Sequence, residues 1–351
     1  MKTKKVILFI DTFYPGGAER VCVNYANELN ELGLDVSIIC YNRNENFYID
    51  ELSGNIQIVS LNIKSGMWLF KKINILNKLL IGGSIVIAFN HQISILLYLY
   101  NKINSKFKLI SRNVNNLSQD LKAKKGNSIK RALTLFLMNR FYCRIGCYIA
   151  QCELMKLDMQ KDMKVRGSDI EVIHNPVAKK YIKLELKKDI DILFIGRLKK
   201  QKGIDNLIKI MELLKVKGEN FNITIVGDGE LKSILLSSLN NLGITYEYIR
   251  NTDNTLELYN RSRCCVLTSY YEGYPNVLVE SLACATPIIS FDCDSGPREI
   301  IRNNENGFLI EKFDCEDFCD KISYIINTNF EIKEENNNYK EILKVEKMLE
   351  L

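Results

Sequence analysis

An apolar run, DILFIG (191–196), is followed at once by RLKKQK, in which Arg197, Lys199, Lys200 and Lys202 are cationic. Arg offers a planar fork of donors and Lys a point charge. Such a cluster suits a diphosphate and would stabilise negative charge building on a departing phosphate. Charge runs in loops are usually just solvated, and Lys199 and Lys200 fit that plainer reading. Downstream, SYYEGYPNVLVESLACATP carries two carboxylates, Glu272 and Glu280. Pro275 fits the first position of a helix, whose leading N–H groups at Asn276, Val277 and Leu278 then make an anion site. Glu280 stands among Val277, Leu278, Val279 and Leu282. It is either the helix's one solvent-facing position or a buried carboxylate that needs donors such as ribose hydroxyls. Glu272 lies just before the helix, where it either shares that site or simply stabilises the helix dipole.

Other positions carry weaker signals. Gly16-Gly17, in DTFYPGGAER, can bring backbone N–H groups close to a phosphate at a helix start, or can be a plain glycine turn. The segment lacks GxGxxG, which counts against a nicotinamide-dependent oxidoreductase. Asp292 and Asp294 form a DxD followed by Gly296-Pro297-Arg298-Glu299. The DxD is read as coincidental and no metal is expected, because the chain supplies cationic side chains where a metal would otherwise act. The two histidines are His91 and His174, and the 11 cysteines contain no CxxC, so no zinc site is expected.

These residues need elements to hold them. Strand-length apolar runs alternate with helical patterns: VILFI (6–10), VSIIC (36–40), SIVIAF (84–89) and KLIS (108–111), then DILFIG, NITIVG (222–227), CCVLTS (264–269) and PIISF (287–291). Continuous apolar strands in βαβ rhythm imply parallel sheets covered on both faces. Ligands of such sheets bind beyond the carboxyl ends of the strands, where the residues above fall. A length of 351 residues suggests two doubly wound domains, 1–177 and 178–335, with a final helix at about 336–351 that packs back. The stretch 173–189, rich in lysine and poor in periodicity, reads as their linker. Hydrophobic residues at 46% and charged residues at 26% fit a soluble globular chain, and a net charge of +6 favours anionic small molecules or lipid over DNA. No apolar stretch is long enough to span a bilayer, and scattered cysteines in a chain without a secretory signal lead us to expect a cytoplasmic protein. From Lys122 to Arg144, basic residues surround ALTLFLM, which is either a surface for anionic membrane or a core-packed helix with a solvated basic face.

Taken in order, GGAER, HNPV, FIGRLKKQKG, IVGDGE, EGYPNVLVE and SGPREI resemble the family 4 retaining glycosyltransferases of GT-B fold. The resemblance covers nearly the whole chain and implies two Rossmann-like domains facing across a cleft, with the nucleotide-sugar donor held mainly by the second and the acceptor by the first. It further implies retention of anomeric configuration by front-face attack through an oxocarbenium-like ion pair, without a metal. By the same resemblance Arg197 and Lys202 contact the donor diphosphate, Glu280 the ribose, and Glu272 the donor sugar. Gly16 and Gly17 close on the donor, and Gly296 to Glu299 lie beside the sugar. The family often has a His or Arg of the first domain near the reaction, for which the acceptor-side candidates here are His91, after SIVIAFN, and Arg112-Asn113, after KLIS; His91 is either that group or a hydrogen-bonded structural histidine. The segment DCDSGPREIIRNNENGFLI is most similar to bacterial members that use UDP-linked hexoses or N-acetylhexosamines in surface-polysaccharide synthesis, commonly on polyprenyl-linked acceptors at the inner membrane face. A non-catalytic partner subunit that binds nucleotide sugar or glycan is the alternative.

Overall fold

The computed structural model describes residues 4–14, 16–43, 47–104, 107–114, 118, 128–293, 295–328, 330–332 and 341–350. The chain divides into two compact units, Met1–Pro176 with Asn338–Leu351, and Val177–Asn337.

Unit 1 is built on seven parallel strands: β1 (Lys5–Ile10), β2 (Asp35–Cys40), β3 (Gln57–Ser60), β4 (Ser84–Ala88), β5 (Phe107–Arg112), β6 (Tyr148–Ala150) and β7 (Ile170–Val172). Their order across the sheet is β3-β2-β1-β4-β5-β6-β7, so the chain reverses direction between β1 and β4. Successive side chains of a strand point to opposite faces. In β1, Val6, Leu8 and Ile10 accordingly join one core and Ile7 and Phe9 the other. The first face is covered by α1 (Gly17–Glu31) and by the chain's last helix, whose Val345, Met348 and Leu349 return to it. On the second face lie a 3-10 turn (Gly66–Lys72), α2 (Ile73–Leu79) and α3 (His91–Asn104), which insert Leu69, Leu76, Ile93 and Leu97. Helices α4 (Ser128–Arg140) and α5 (Glu153–Met163) complete the unit. Of the basic segment noted in the sequence, residues 122–127 lie outside the described residues.

Unit 2 has six parallel strands: β8 (Ile190–Ile195), β9 (Asn222–Val226), β10 (Thr245–Ile249), β11 (Ser262–Leu267), β12 (Ile288–Phe291) and β13 (Gly307–Ile310). Their order is β10-β9-β8-β11-β12-β13, with the reversal between β8 and β11. Helices α6 (Ile204–Val216), α7 (Lys232–Asn241), α8 (Thr255–Arg261), α9 (Asn276–Ala283), α10 (Pro297–Ile300) and α11 (Cys315–Asn327) alternate with them, and α12 (Glu341–Glu350) is the terminal helix on unit 1.

One feature differs from the sequence reading. Strands β3, β6, β7, β10 and β13 have no counterpart in the apolar runs, because they are short or lie toward a sheet edge. In β10, TYEYI is half exposed, which lets polar residues alternate with apolar ones. The boundary between the units, at Pro176–Val177, falls within 173–189, which is anchored on both sides of it. Asn24 Nδ2 donates to Pro176 O at 2.9 Å within unit 1. Beyond it, Tyr181 OH meets Thr255 Oγ1 at 2.8 Å, Leu184 N–H donates to Asn260 Oδ1 at 2.7 Å and Lys188 Nζ donates to Ser262 O at 2.8 Å, all within unit 2.

Candidate active site

The strand order reverses between β8 and β11, the kind of place where open parallel sheets take ligands, and the two loops that follow these strands are laced together there. A 3-10 turn (Lys200–Lys202) ends at Gly203, whose φ of +62° is left-handed. A Cβ on Gly203 would stand 1.9 Å from Thr268 O, so glycine lets the β8 loop lie directly on the β11 loop. Thr268 Oγ1 donates toward Lys202 O (2.9 Å) and Gly203 O (3.1 Å), Gln201 Nε2 donates to Tyr271 O (2.8 Å), and Tyr270 N–H donates to Gln201 O (2.9 Å).

The lacing fixes an ion pair. Lys202 Nζ donates to Glu272 Oε1 at 2.6 Å, with the two side chains only 15% and 8% exposed, and Ser269 Oγ donates to the same oxygen at 2.5 Å. Arg197 is placed differently: it is exposed and its guanidinium has no carboxylate partner among the described residues. The loop after β8 therefore carries one compensated cation, Lys202, and one exposed cation without a carboxylate partner, Arg197, a combination suited to an anion carrying more than one charge.

Helix α9 starts one residue later than its sequence predicts, with Pro275 in extended backbone as its N-cap rather than as its first helical residue. Asn276 and Val277 occupy its first two positions, but Leu278 does not serve as an open donor. Its N–H bonds Pro275 O at 3.1 Å and its side chain is fully buried, because the first turn closes with an i to i+3 bond. Glu280 is 8% exposed, which overturns the solvent-facing reading, and it accepts a hydrogen bond from Tyr259 OH at 2.9 Å. Burial, with the Glu280 charge second, pushes the Tyr259 hydroxyl well above its usual pKa, so the phenol stays a donor. Gly296 caps α10 where a Cβ would meet Gly273 O at 2.3 Å and Pro275 Cδ at 2.7 Å. Its lack of a side chain thus serves the packing of one site turn on another. Glu299 is exposed on α10, and its N–H bonds Gly296 O at 3.0 Å. Asp292 is held by Arg298, with Nε to Oδ1 at 3.0 Å, while Asp294 lies outside the described residues.

In unit 1, Gly16 is the N-cap of α1 with an extended φ of −163°, and Gly17 is the exposed first residue of the helix, following β1. His91 begins α3 after β4, so both groups stand at the reversal between β1 and β4. Asn90 caps that helix, its Oδ1 accepting from Ile93 N–H at 2.8 Å, and His91 is half-buried. Arg112 and Asn113 are different. Arg112 is fully buried at the end of β5, its Nη2 donating to Asn175 Oδ1 and its guanidinium 5.3 Å from the Tyr25 ring and 5.0 Å from the Phe89 ring. Burial lowers its pKa from the usual arginine value. Asn113, 3% exposed, accepts from Tyr142 OH at 2.7 Å. Both side chains are engaged inside unit 1, which leaves His91 as the more accessible candidate of the two alternatives.

Residues 15–180 match the sequence model of Glycosyltransferase Family 4, and residues 178–344 that of Glycosyl transferases group 1, so the pair runs through nearly the whole chain. Both halves of the chain thus match glycosyltransferase models, the first of them that of family 4. An uncharacterized glycosyltransferase of Haemophilus influenzae is 29% identical to it over 345 residues, covering 92% of this chain and 91% of that protein. A Campylobacter jejuni enzyme named GalNAc-alpha-(1->4)-GalNAc-alpha-(1->3)-diNAcBac-PP-undecaprenol alpha-1,4-N-acetyl-D-galactosaminyltransferase is 28% identical over 365 residues, covering 96% and 93%. The crystal structure of Anabaena HepE in complex with UDP-glucose superimposes with a TM-score of 0.78 at 16% identity, covering 99% of this chain and 98% of that one. The glycosyltransferase thus has the GT-B fold. Its sequence alone did not single out Thr268, Ser269 or Tyr259 as parts of the site. The first two close the apolar run CCVLTS, where a small hydroxyl reads as a strand end, and Tyr259 is distant in sequence from the Glu280 it holds.

Proposed function

We propose that this glycosyltransferase moves a hexose or N-acetylhexosamine from a UDP-sugar to a glycan or lipid-linked glycan acceptor in bacterial surface-polysaccharide synthesis, with retention of configuration and without a metal. The observation that carries the reading is the Lys202–Glu272 pair, with the exposed Arg197 in the same loop, at the strand reversal of unit 2. The activity for which the Campylobacter relative is named, and the UDP-glucose bound to the Anabaena structure, support the choice of acceptor and donor class.

In this mechanism the donor's diphosphate lies against Arg197, Lys202 and the start of α9 at Asn276 and Val277. As the bond from the anomeric carbon to the phosphate oxygen breaks, its electron pair leaves with the diphosphate. The two cations stabilise that charge more strongly in the transition state than in the ground state. The acceptor hydroxyl attacks from the face the diphosphate leaves, and its proton passes to a departing phosphate oxygen. Glu272 orients the sugar hydroxyls, and Glu280, fixed by Tyr259, receives the ribose.

Thermal unfolding in the presence of millimolar UDP, GDP, ADP or NAD tests the donor, because a ligand of the folded state raises stability by mass action. Stabilisation by UDP alone is expected. A response to NAD alone would overturn the reading, a response to GDP or ADP would remove the uridine assignment, and no response would favour a non-catalytic partner subunit.

A further inference from the structure

Helix α8 is tied on one side to the segment that follows the unit boundary and on the other to the site. Asn260, buried near its end, accepts from Leu184 N–H at 2.7 Å and donates to Ile182 O at 3.0 Å, so one amide grips the segment's backbone through both a donor and an acceptor. Tyr181 OH meets Thr255 Oγ1 at 2.8 Å, and Arg261 takes the Asp189 carboxylate with two bonds of 2.9 Å. On the opposite side Tyr259, fully buried, donates to Glu280 Oε2 at 2.9 Å. Consecutive residues of a helix point about 100° apart, which is how Tyr259 reaches α9 while Asn260 reaches the segment. The Tyr181 ring also stands edge-on to that of Tyr259, with 5.9 Å between centres. A second route leads to α9: Lys188 Nζ donates to Thr286 Oγ1 at 3.2 Å, that hydroxyl donates to Tyr259 O at 2.6 Å, and Ser281 Oγ, next to Glu280, donates to Thr286 O at 2.9 Å. Between the anchors the seam is not filled, since an open cavity of about 380 Å³ lies there, lined by Leu184, Leu186 and Leu256 among others. Hydrogen bonds, more than close packing, therefore locate the segment on α8.

We propose that Tyr181 and Asn260 are positioning residues for the ribose subsite: through α8 and Tyr259 they set where the Glu280 carboxylate stands, so that recognition of the nucleotide's ribose depends on the segment 181–189. The inference rests on the reading of Glu280 as the ribose carboxylate and adds to it the residues buried behind that group. A hydrogen bond to a carboxylate weakens steeply as its distance and angle depart from the optimum. Helix α8 has seven residues, so a displacement at Asn260 reaches its neighbour Tyr259 undiminished and is passed on to Glu280. The diphosphate end of the donor lies against Arg197 and Lys202, on the loop after β8, and does not depend on this chain of contacts.

Calorimetry on the full chain with UDP, 2′-deoxy-UDP, 3′-deoxy-UDP and inorganic pyrophosphate separates the two ends of the donor. The wild type should bind UDP about tenfold or more tightly than the deoxy form that lacks the hydroxyl bonded by Glu280, because a hydrogen bond to a charged group is lost. Tyr259→Phe should reduce that preference to about twofold or less, and Tyr181→Phe and Asn260→Asp should each reduce it by about threefold or more, with pyrophosphate affinity held within about twofold throughout. Adding Tyr181→Phe to Tyr259→Phe should lower the preference no further, because the first acts through the second. The two Tyr→Phe variants keep their rings and packing, Asn260→Asp sets a carboxylate oxygen against Ile182 O, and thermal unfolding checks that each folds. An unchanged preference in Tyr181→Phe or in Asn260→Asp, or an equal loss of UDP and pyrophosphate affinity, overturns the proposal and leaves the ribose role of Glu280 standing. A wild type that binds UDP no better than either deoxy form overturns both.

Discussion

Glu272 holds Lys202, and under the proposed function the same carboxylate must give up that cation, wholly or in part, to the donor's diphosphate. This competition separates two substitutions. Lys202→Ala should lower kcat by about 10²–10³-fold, the usual cost of removing one donor aimed at developing charge. Glu272→Gln keeps the shape but removes the competing charge, so affinity for UDP measured by calorimetry should rise while sugar transfer falls. Weaker UDP binding in that variant would sink the competition argument, and near-normal turnover in Lys202→Ala would remove the leaving-group role. The cation cluster and the two glutamates were legible in sequence because residue type alone restricts their chemistry. Their pairing was not, since Lys202 and Glu272 meet only when the loops after β8 and β11 lie side by side.

At the scale of elements, two left-handed glycines separate backbone strain from crowding. Gly33, after α1, has φ of +81° and open space where a Cβ would stand, with nothing within 4 Å, whereas Gly203 has φ of +62° and a carbonyl oxygen at 1.9 Å from that position. Gly33→Ala should therefore cost only the left-handed backbone, about 1–2 kcal/mol. Gly203→Ala adds a clash that must push the β8 and β11 loops apart. It should lower the urea midpoint further than Gly33→Ala and weaken UDP binding, which Gly33→Ala should leave unchanged. The central strands β1, β4, β8 and β11 were readable as unbroken apolar runs because neighbours bury them on both sides. Edge strands such as β10 escape that reading because one side of them faces water.

Over the whole molecule, the cysteines are free, eight of them buried and three, Cys143, Cys147 and Cys315, partly exposed. Burial pushes the Cys265 and Cys284 thiols up to about 12, so they stay protonated and unreactive at neutral pH. A thiol reagent should modify at most these three quickly in the native protein and all 11 in denaturant, and rapid native modification of more would contradict the packing described. What the sequence by itself determined was the number of doubly wound units, the loops that bear charge and the family they resemble, because apolar period and residue type are local properties. Only the tertiary structure decided which charges compensate one another, that Arg112 is enclosed while Arg197 is open, and that Glu280 is buried against Tyr259. Those are distances between residues far apart in the chain, and no local pattern encodes them.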